Sequence, residues 1–281
     1  MTPLFQDEAQ CRDAEEITMA AYYNEIDPFA AQWLRNLIAA GHIAPGVVDE
    51  RSIEDVTPDD LRGFTQCHFF AGIGVWSLAL RRAGWPDDKP VWTGSCPCQP
   101  FSAAGKGNGF ADERHLWPAF FHLINECKPG VIFGEQVASK DGLGWLDLVQ
   151  TDLEATNYAV GAVDLCAAGF GAPHIRQRLF WVGNANNQGM EGVRECEPVI
   201  LPEGREDAER HAVPPAMAAH VWDGWQAVTG ADKNSRMLPP DFGERTDDAA
   251  GRVGKLRAYG NAIVAPVAEE FIRAYMLITE E

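Results

Sequence analysis

Four groups of residues have types and spacings suited to chemistry. The first is Ser95-Cys96-Pro97-Cys98-Gln99-Pro100-Phe101-Ser102. Prolines on either side of Cys98 stiffen the loop. Following an apolar run at 91–96, they hold the cysteine outward at a sheet edge. A thiolate is a strong nucleophile when its pKa is lowered or its proton is removed on attack. A turn that carries a cysteine incidentally looks the same. The second is Glu135, in Phe133-Gly134-Glu135-Gln136-Val137 at the end of an apolar run. A carboxylate there points into a cleft, and burial would let it serve as a protonated hydrogen-bond donor. The plain alternative is a solvated loop acid or a helix cap. Arg176 and Arg178 form the third group. Spaced two apart on a strand edge, they share one face and suit phosphate or carbonyl-oxygen recognition, or surface ion pairs. The fourth is Phe70-Ala71-Gly72-Ile73-Gly74. Its glycines permit a tight turn close to a ligand, and the following helix offers free N–H groups. An ordinary strand-to-helix connection explains this pattern equally well.

The elements that must position these groups alternate along the chain. Strands are predicted at 17–23, 65–72, 91–96, 130–137, 158–167 and 178–183, with a short one near Arg51–Val56. Helices are predicted at 28–41, 75–84, 116–127, 143–156 and 262–277. This rhythm implies an α/β fold with a doubly wound sheet, whose ligands sit at the carboxyl ends of strands. It breaks down after Gly183. Residues 184–250 hold 13 acidic and 6 basic residues and much Pro, Gly and Asn, as expected of a small irregular lobe or insertion. Three regions follow: a principal domain over 1–183, the irregular region over 184–250, and a returning helix within 251–281.

Composition narrows the function classes. At 281 residues, 46% of them apolar, the chain suits one large α/β domain with a small lobe. No stretch approaches the ~18 continuous apolar residues of a membrane span, and the acidic start MTPLFQDEAQ lacks a signal-peptide pattern. A cytoplasmic protein is expected. Seven scattered cysteines without a CxxC pair argue for reduced thiols, against a disulfide framework and against a metal site. The net charge of −18 opposes nucleic-acid binding unless a local basic patch, low salt or a partner compensates. A dinucleotide-dependent oxidoreductase fits poorly, because the glycine turn lacks the third glycine of that fingerprint.

Taken together, FFAGIG, SCPCQPFS, GEQV, GAPHIRQRLFWVG and YGNAIVAP resemble motifs I, IV, VI, VIII and X of the cytosine-C5 DNA methyltransferases. The resemblance covers roughly residues 17–183 and 252–277. It implies a Rossmann-like sheet, S-adenosylmethionine as cofactor and double-stranded DNA as substrate. It implies catalytic roles for Cys98 (attack on cytosine C6), Glu135 (contact with N3 and the exocyclic amine), Arg178 (the O2 side) and Arg176 (support of the loop). Phe70, Ala71, Gly72, Ile73, Gly74, Trp76, Pro97, Asn261, Ala262 and Ile263 would face the cofactor, and Gln99, Ser102 and Gly105 the substrate. The target base would have to leave the helix. An RNA methyltransferase of the same fold and a non-catalytic nucleic-acid-binding member are the alternatives. A compact acidic chain further suggests a bacteriophage or mobile-element enzyme that protects DNA from restriction, acting in the host-cell cytoplasm as a monomer or weak dimer.

The sequence departs from the family pattern in order. Only 28 residues separate Phe70 from Cys98, too few for the second and third motifs that usually lie between. Yet Tyr23-Asn24-Glu25-Ile26-Asp27-Pro28 resembles the second motif, with Glu25 and Ile26 toward the cofactor. Asp49–Val56 resembles the third, with Ser52 and Ile53 toward the adenine. Both precede the first motif, so a sheet of ordinary spatial order visited in rearranged chain order is expected. Otherwise residues 1–64 form an unrelated cap. The position of Glu25 relative to the Gly72–Gly74 turn decides between these. Other departures are Gln136 in place of the family's asparagine, His174 in place of a glutamine, no identifiable ninth motif, and a short acidic recognition region that implies a brief or relaxed target sequence.

Overall fold

The computed structural model of the protein describes residues 21–97, 116–172, 174–185, 226–229, 235–238 and 261–279. Strand β1 (Ala21–Asn24) is buried along its whole length, as a strand covered on both faces must be. Helix α1 (Pro28–Ala39) begins where the Asp27 carboxylate accepts hydrogen bonds from the amides of Phe29 and Ala30, with Pro28 in the first turn. Strand β2 (Gly46–Asp49) follows, then β3 (Gln66–Phe69), helix α2 (Val75–Ala83) and β4 (Val91–Gly94). After them come α3 (Leu116–Cys127), β5 (Val131–Val137), α4 (Lys140–Ala155), β6 (Ala159–Cys166) and β7 (Gln177–Asn184). Strands β8 (Gln226–Thr229) and β9 (Ser235–Leu238) precede the final helix α5 (Ala265–Thr279).

Seven strands form one sheet in the order β2-β1-β3-β4-β5-β7-β6. The first five are mutually parallel. Strand β7 is antiparallel to both β5 and β6. The two strands that precede the glycine turn extend the sheet beyond β3, so residues 21–49 are part of the sheet and not a cap.

Alternate residues of each strand feed two cores. On one face Tyr22, Phe69, Trp92, Ile132 and Trp181 pack against α3, α4 and the turn carrying Ile53. On the other, Phe133 and Phe180 pack against α2 and α5, and Ala21 and Tyr23 against α1. Gly134 has no alternative on the first face. A Cβ there would stand 2.1 Å from the Trp181 ring, so β5 must be bare at that point for the indole to cross it.

Two expectations are corrected. The short strand expected near 51–56 lies at Gly46–Asp49, set by its register with β1. Residues 53–55 form a 3-10 turn instead, opened by Ser52, whose hydroxyl accepts from the Glu54 amide. The region expected to be irregular contains a paired unit, the antiparallel hairpin of β8 and β9.

Candidate active site

Glu25 leaves the carboxyl end of β1 and reaches the glycine turn after β3. Its Oε2 accepts from the Gly72 amide at 2.7 Å, and its Oε1 from the Asp27 amide at 2.8 Å. Main-chain and amide bonds stitch the same three strand ends. The Ala71 amide donates to the Asn24 carbonyl at 3.0 Å. The Asn24 side chain, almost fully buried, donates to the Arg51 carbonyl at 2.9 Å and to the Asp49 carbonyl at 3.4 Å. Gly72 and Gly74 have φ of 54° and 78°, and a Cβ on Gly74 would also stand 3.0 Å from Leu34. Glycine is thus required by backbone conformation at both and by packing at Gly74. Below this edge, Arg51 pairs with both Asp49 and Asp60, at 2.7 and 3.2 Å. Tyr22 donates to Asp49 at 2.7 Å, which fixes the 3-10 segment against the sheet.

A second carboxylate stands at the end of β5. Glu135 is 8% exposed, and its Oε1 lies 2.7 Å from Nε of Arg178 on β7. Burial pushes its pKa up. The Arg178 charge, then the Arg176 charge, oppose that rise without cancelling it. Removing one partner of such a pair strands the other in a low-dielectric site, a loss of roughly 3–5 kcal/mol. Arg176 donates from Nη2 to the Ala262 carbonyl at 3.0 Å. This ties the segment before α5 to the same corner. Burial and the nearby Arg178 charge hold its pKa below the ordinary arginine value. Burial and Arg176 likewise lower that of His174.

The loop after β4 joins this corner through two contacts. Gln136 donates from its amide nitrogen to the Cys96 carbonyl at 3.2 Å, and its Oε1 accepts from the Val137 amide at 2.8 Å. The longer amide thus clamps the end of β5 to the loop. Trp76, on α2, donates its indole N–H to Ser95 Oγ at 3.0 Å.

The structure brings Glu135, Arg176, Arg178, Ala262 and the loop through Pro97 to one corner of the sheet edge, and Glu25 to the Gly72–Gly74 turn. Cys98, Gln99, Ser102 and Gly105 lie outside the described residues. Ile26 is 65% exposed beside Glu25, Asn261 is exposed and Ile263 is buried in the α5 core. Ile53 is buried in the core with Tyr22 and Phe69. Trp76 is buried against Phe133 and Phe180, its polar edge turned to Ser95. Sequence reasoning gave no role to Ser95 or Asn24. Each is a small polar residue at a strand end, and its partners are distant in sequence.

The parallel sheet with an antiparallel strand beside β5, and the glycine turn answered by an acid on the neighbouring strand, define a Rossmann-like α/β fold. Residues 85–221 match the family model described as C-5 cytosine-specific DNA methylase. The Type II methyltransferase M.HhaI of Haemophilus parahaemolyticus is 30% identical over 118 residues, 41% of this chain and 36% of that protein. M.AplI of Arthrospira platensis is 34% identical over 120 residues, 42% of this chain and 34% of that protein. Among solved structures, a mutant DNMT2 of Spodoptera frugiperda aligns at 16% identity with a TM-score of 0.43, covering 62% of this chain and 45% of that one. Over residues 85–221 the chain is similar to the cytosine-C5 methyltransferase family. Its matches span about a third of the length of these two curated relatives.

Proposed function

We propose that this chain transfers a methyl group from S-adenosylmethionine to C5 of a cytosine in DNA, through a transient covalent bond at Cys98. The observation that carries this reading is the buried, arginine-paired Glu135, in the strand clamped to the loop that leads into Cys98. Cytosine C6 is a poor electrophile until N3 is protonated or hydrogen bonded. On this reading the Cys98 thiolate forms a bond to C6 while Glu135 donates to N3. Arg178 stabilises the O2 side, and Arg176 holds the segment at Ala262 in place. Once C5 has been methylated, a base removes its proton, the C6–S bond breaks and the thiolate is restored. The cytosine must be flipped out of the duplex to be reached.

The residues at the other strand ends fit the cofactor. Among the described residues, no heavy atom beyond its chain neighbours stands within 4 Å of where a Gly72 side chain would be, which suits close approach of a ligand to the main chain. Glu25 is fixed beside the turn with oxygen lone pairs left for ribose hydroxyls, and Ile26 presents an apolar surface. When bound, S-adenosylmethionine supplies an electrophilic methyl group. On the same reading, Glu25 and the Ser52 segment are the family's second and third motifs moved ahead of the first, and the flanking of β3 by β1 supports this. The target is a short sequence of few base pairs.

The test is transfer of labelled methyl groups to DNA and, side by side, to tRNA, with Cys98→Ser as control. Transfer to DNA that falls at least about 1,000-fold in Cys98→Ser is expected. Transfer that survives Cys98→Ser would sink the covalent mechanism. Transfer to tRNA alone would replace DNA by RNA as the substrate. Methylation mapped to a long, defined site would contradict the brief target.

A further inference from the structure

Three buried residues from three elements share a closed set of hydrogen bonds beside the start of α2. Tyr23 on β1, Ala44 in the turn between α1 and β2, and Ser77 in the first turn of α2 are each no more than 1% exposed. The Tyr23 hydroxyl lies 2.7 Å from the Ala44 carbonyl and 3.0 Å from Ser77 Oγ, and the Ala44 amide lies 3.1 Å from the same Oγ. Counting protons fixes every direction. A carbonyl only accepts, so the single Tyr23 proton goes to Ala44. An amide N–H only donates, so Ser77 accepts from it. The Ser77 proton is then left for the Tyr23 oxygen. Burial raises the Tyr23 pKa well above the ordinary phenol value, so its proton stays in place. The ring closes with each donor used once, and removing either hydroxyl strands buried partners.

This ring stands between the two halves of the Glu25–Gly72 contact. Glu25 follows Tyr23 by two residues, and Gly72 precedes Ser77 by five. Sheet pairing sets β1 against β3 as far as Asn24 and Phe69, and the bond from the Ala71 amide to the Asn24 carbonyl continues the register by one step. The chain then passes through positive φ at Gly72 and Gly74, so its course there depends on where α2 is seated. Two further contacts seat that helix against α1 and the turn after it. Arg81, one turn along α2 from Ser77, donates to the Gly41 carbonyl at 2.8 Å. Gly74 approaches so closely that a Cβ would stand 3.0 Å from Leu34 and 3.2 Å from Ile43.

We infer that Tyr23 and Ser77 are positioning residues for the cofactor turn: their ring with Ala44 seats the start of α2 on β1 and so holds the Gly72 amide against the Glu25 carboxylate. The inference rests on the reading of that turn as the S-adenosylmethionine site given above.

The test compares wild type with Tyr23→Phe, Ser77→Ala, the double variant, and Val149→Ala, a change in the core on α4 that lowers stability away from the turn. Affinity for S-adenosylhomocysteine is read by calorimetry well below the melting temperatures, and the Gly72 amide proton by NMR. Each single variant of the ring is expected to lose affinity about 10-fold. Each should also move the Gly72 amide proton upfield, as its bond to Glu25 lengthens. The double variant should lose no more than about 2-fold beyond the worse single one, because a ring opened once has little left to lose. Val149→Ala should melt earlier and change neither readout. Affinities within about 2-fold of wild type in both single variants, or an unmoved Gly72 proton, overturn the inference. So do losses that multiply in the double variant, or an equal loss in Val149→Ala. If Ser77→Ala does not fold, Tyr23→Phe, which keeps the aromatic stack on His68, decides by the same comparison with Val149→Ala. A wild type that binds no S-adenosylhomocysteine defeats the cofactor reading alone, since the Gly72 proton then decides the inference.

Discussion

Two carboxylates stand at the carboxyl edge of one sheet and are held in opposite ways. Glu25 is gripped by main-chain amides, those of Gly72 and Asp27. Glu135 is gripped by a side chain, the Arg178 guanidinium. Main-chain donors are positioned by the fold itself, so they fix geometry and tolerate changes in neighbouring side chains. Side-chain donors add charge and can be altered singly, so they govern protonation as well as position. The contrast suits a group that must stay in one place at the cofactor end, and one whose proton matters at the base end.

Glu135→Gln should break the second grip most severely. It leaves the Arg178 charge unpaired and removes the protonatable group. Methyl transfer is expected to fall by about 1,000-fold or more, with unfolding free energy lower by roughly 3 kcal/mol. Denaturant titration beside the rate measurement separates the two losses.

A buried histidine sharpens the comparison from the core. His68 on β3 stacks on Tyr23, shares a 2.8 Å hydrogen bond with Thr93, and has its pKa pushed down to about 3 by burial. A folded-state pKa below the unfolded value means stability that is full above about pH 6.5 and lost as pH falls toward 3. Chemical denaturation between pH 7 and 4 should lose several kcal/mol in wild type. In His68→Leu the loss should be visibly smaller. An equal slope in both would place the acid sensitivity elsewhere. Glu135 acts with the opposite sign. Its raised pKa makes its contribution greatest below the ordinary glutamate range and smaller as pH rises through the folded value.

Glu25→Gln should disturb the first grip less. One carboxylate oxygen becomes an amide nitrogen that faces a backbone N–H. Cofactor affinity by calorimetry is expected to fall about 10- to 100-fold, roughly 1.4–2.8 kcal/mol, with kcat at saturating cofactor nearly unchanged. Smaller again is Gln136→Ala, which unclamps the Cys96 carbonyl. About 1 kcal/mol of stability and a modest loss of rate are expected, read from melting and turnover together.

Local chemistry made much of this legible in the sequence. The glycine turn, Glu135 at a strand end and the Arg176–Arg178 pair could be read because each depends on residues next to one another. The same holds for α1, whose Asp27-Pro28 start is a local capping pattern. Ser95 and Trp76 could not be paired by reading, since their contact spans 19 residues. Strand β2 was misplaced for a related reason. Gly46–Asp49 is too short to announce itself, and its bounds come from pairing with β1. The more polar stretch after it is held as a turn by Arg51 and its two aspartates.

The sheet order has a consequence for how the protein is made. Strands β1 and β2, joined through α1, leave the ribosome before the strand that lies beside β1 in the finished sheet. A β-α-β unit can thus form early from near neighbours in sequence, leaving one edge of β1 bare. Strand β3 pairs with that bare edge in the finished sheet, and Glu25 accepts from the Gly72 amide there. In chain order both strands of that flank precede the strand the flank adjoins, and Glu25 precedes the Gly72 amide that it binds.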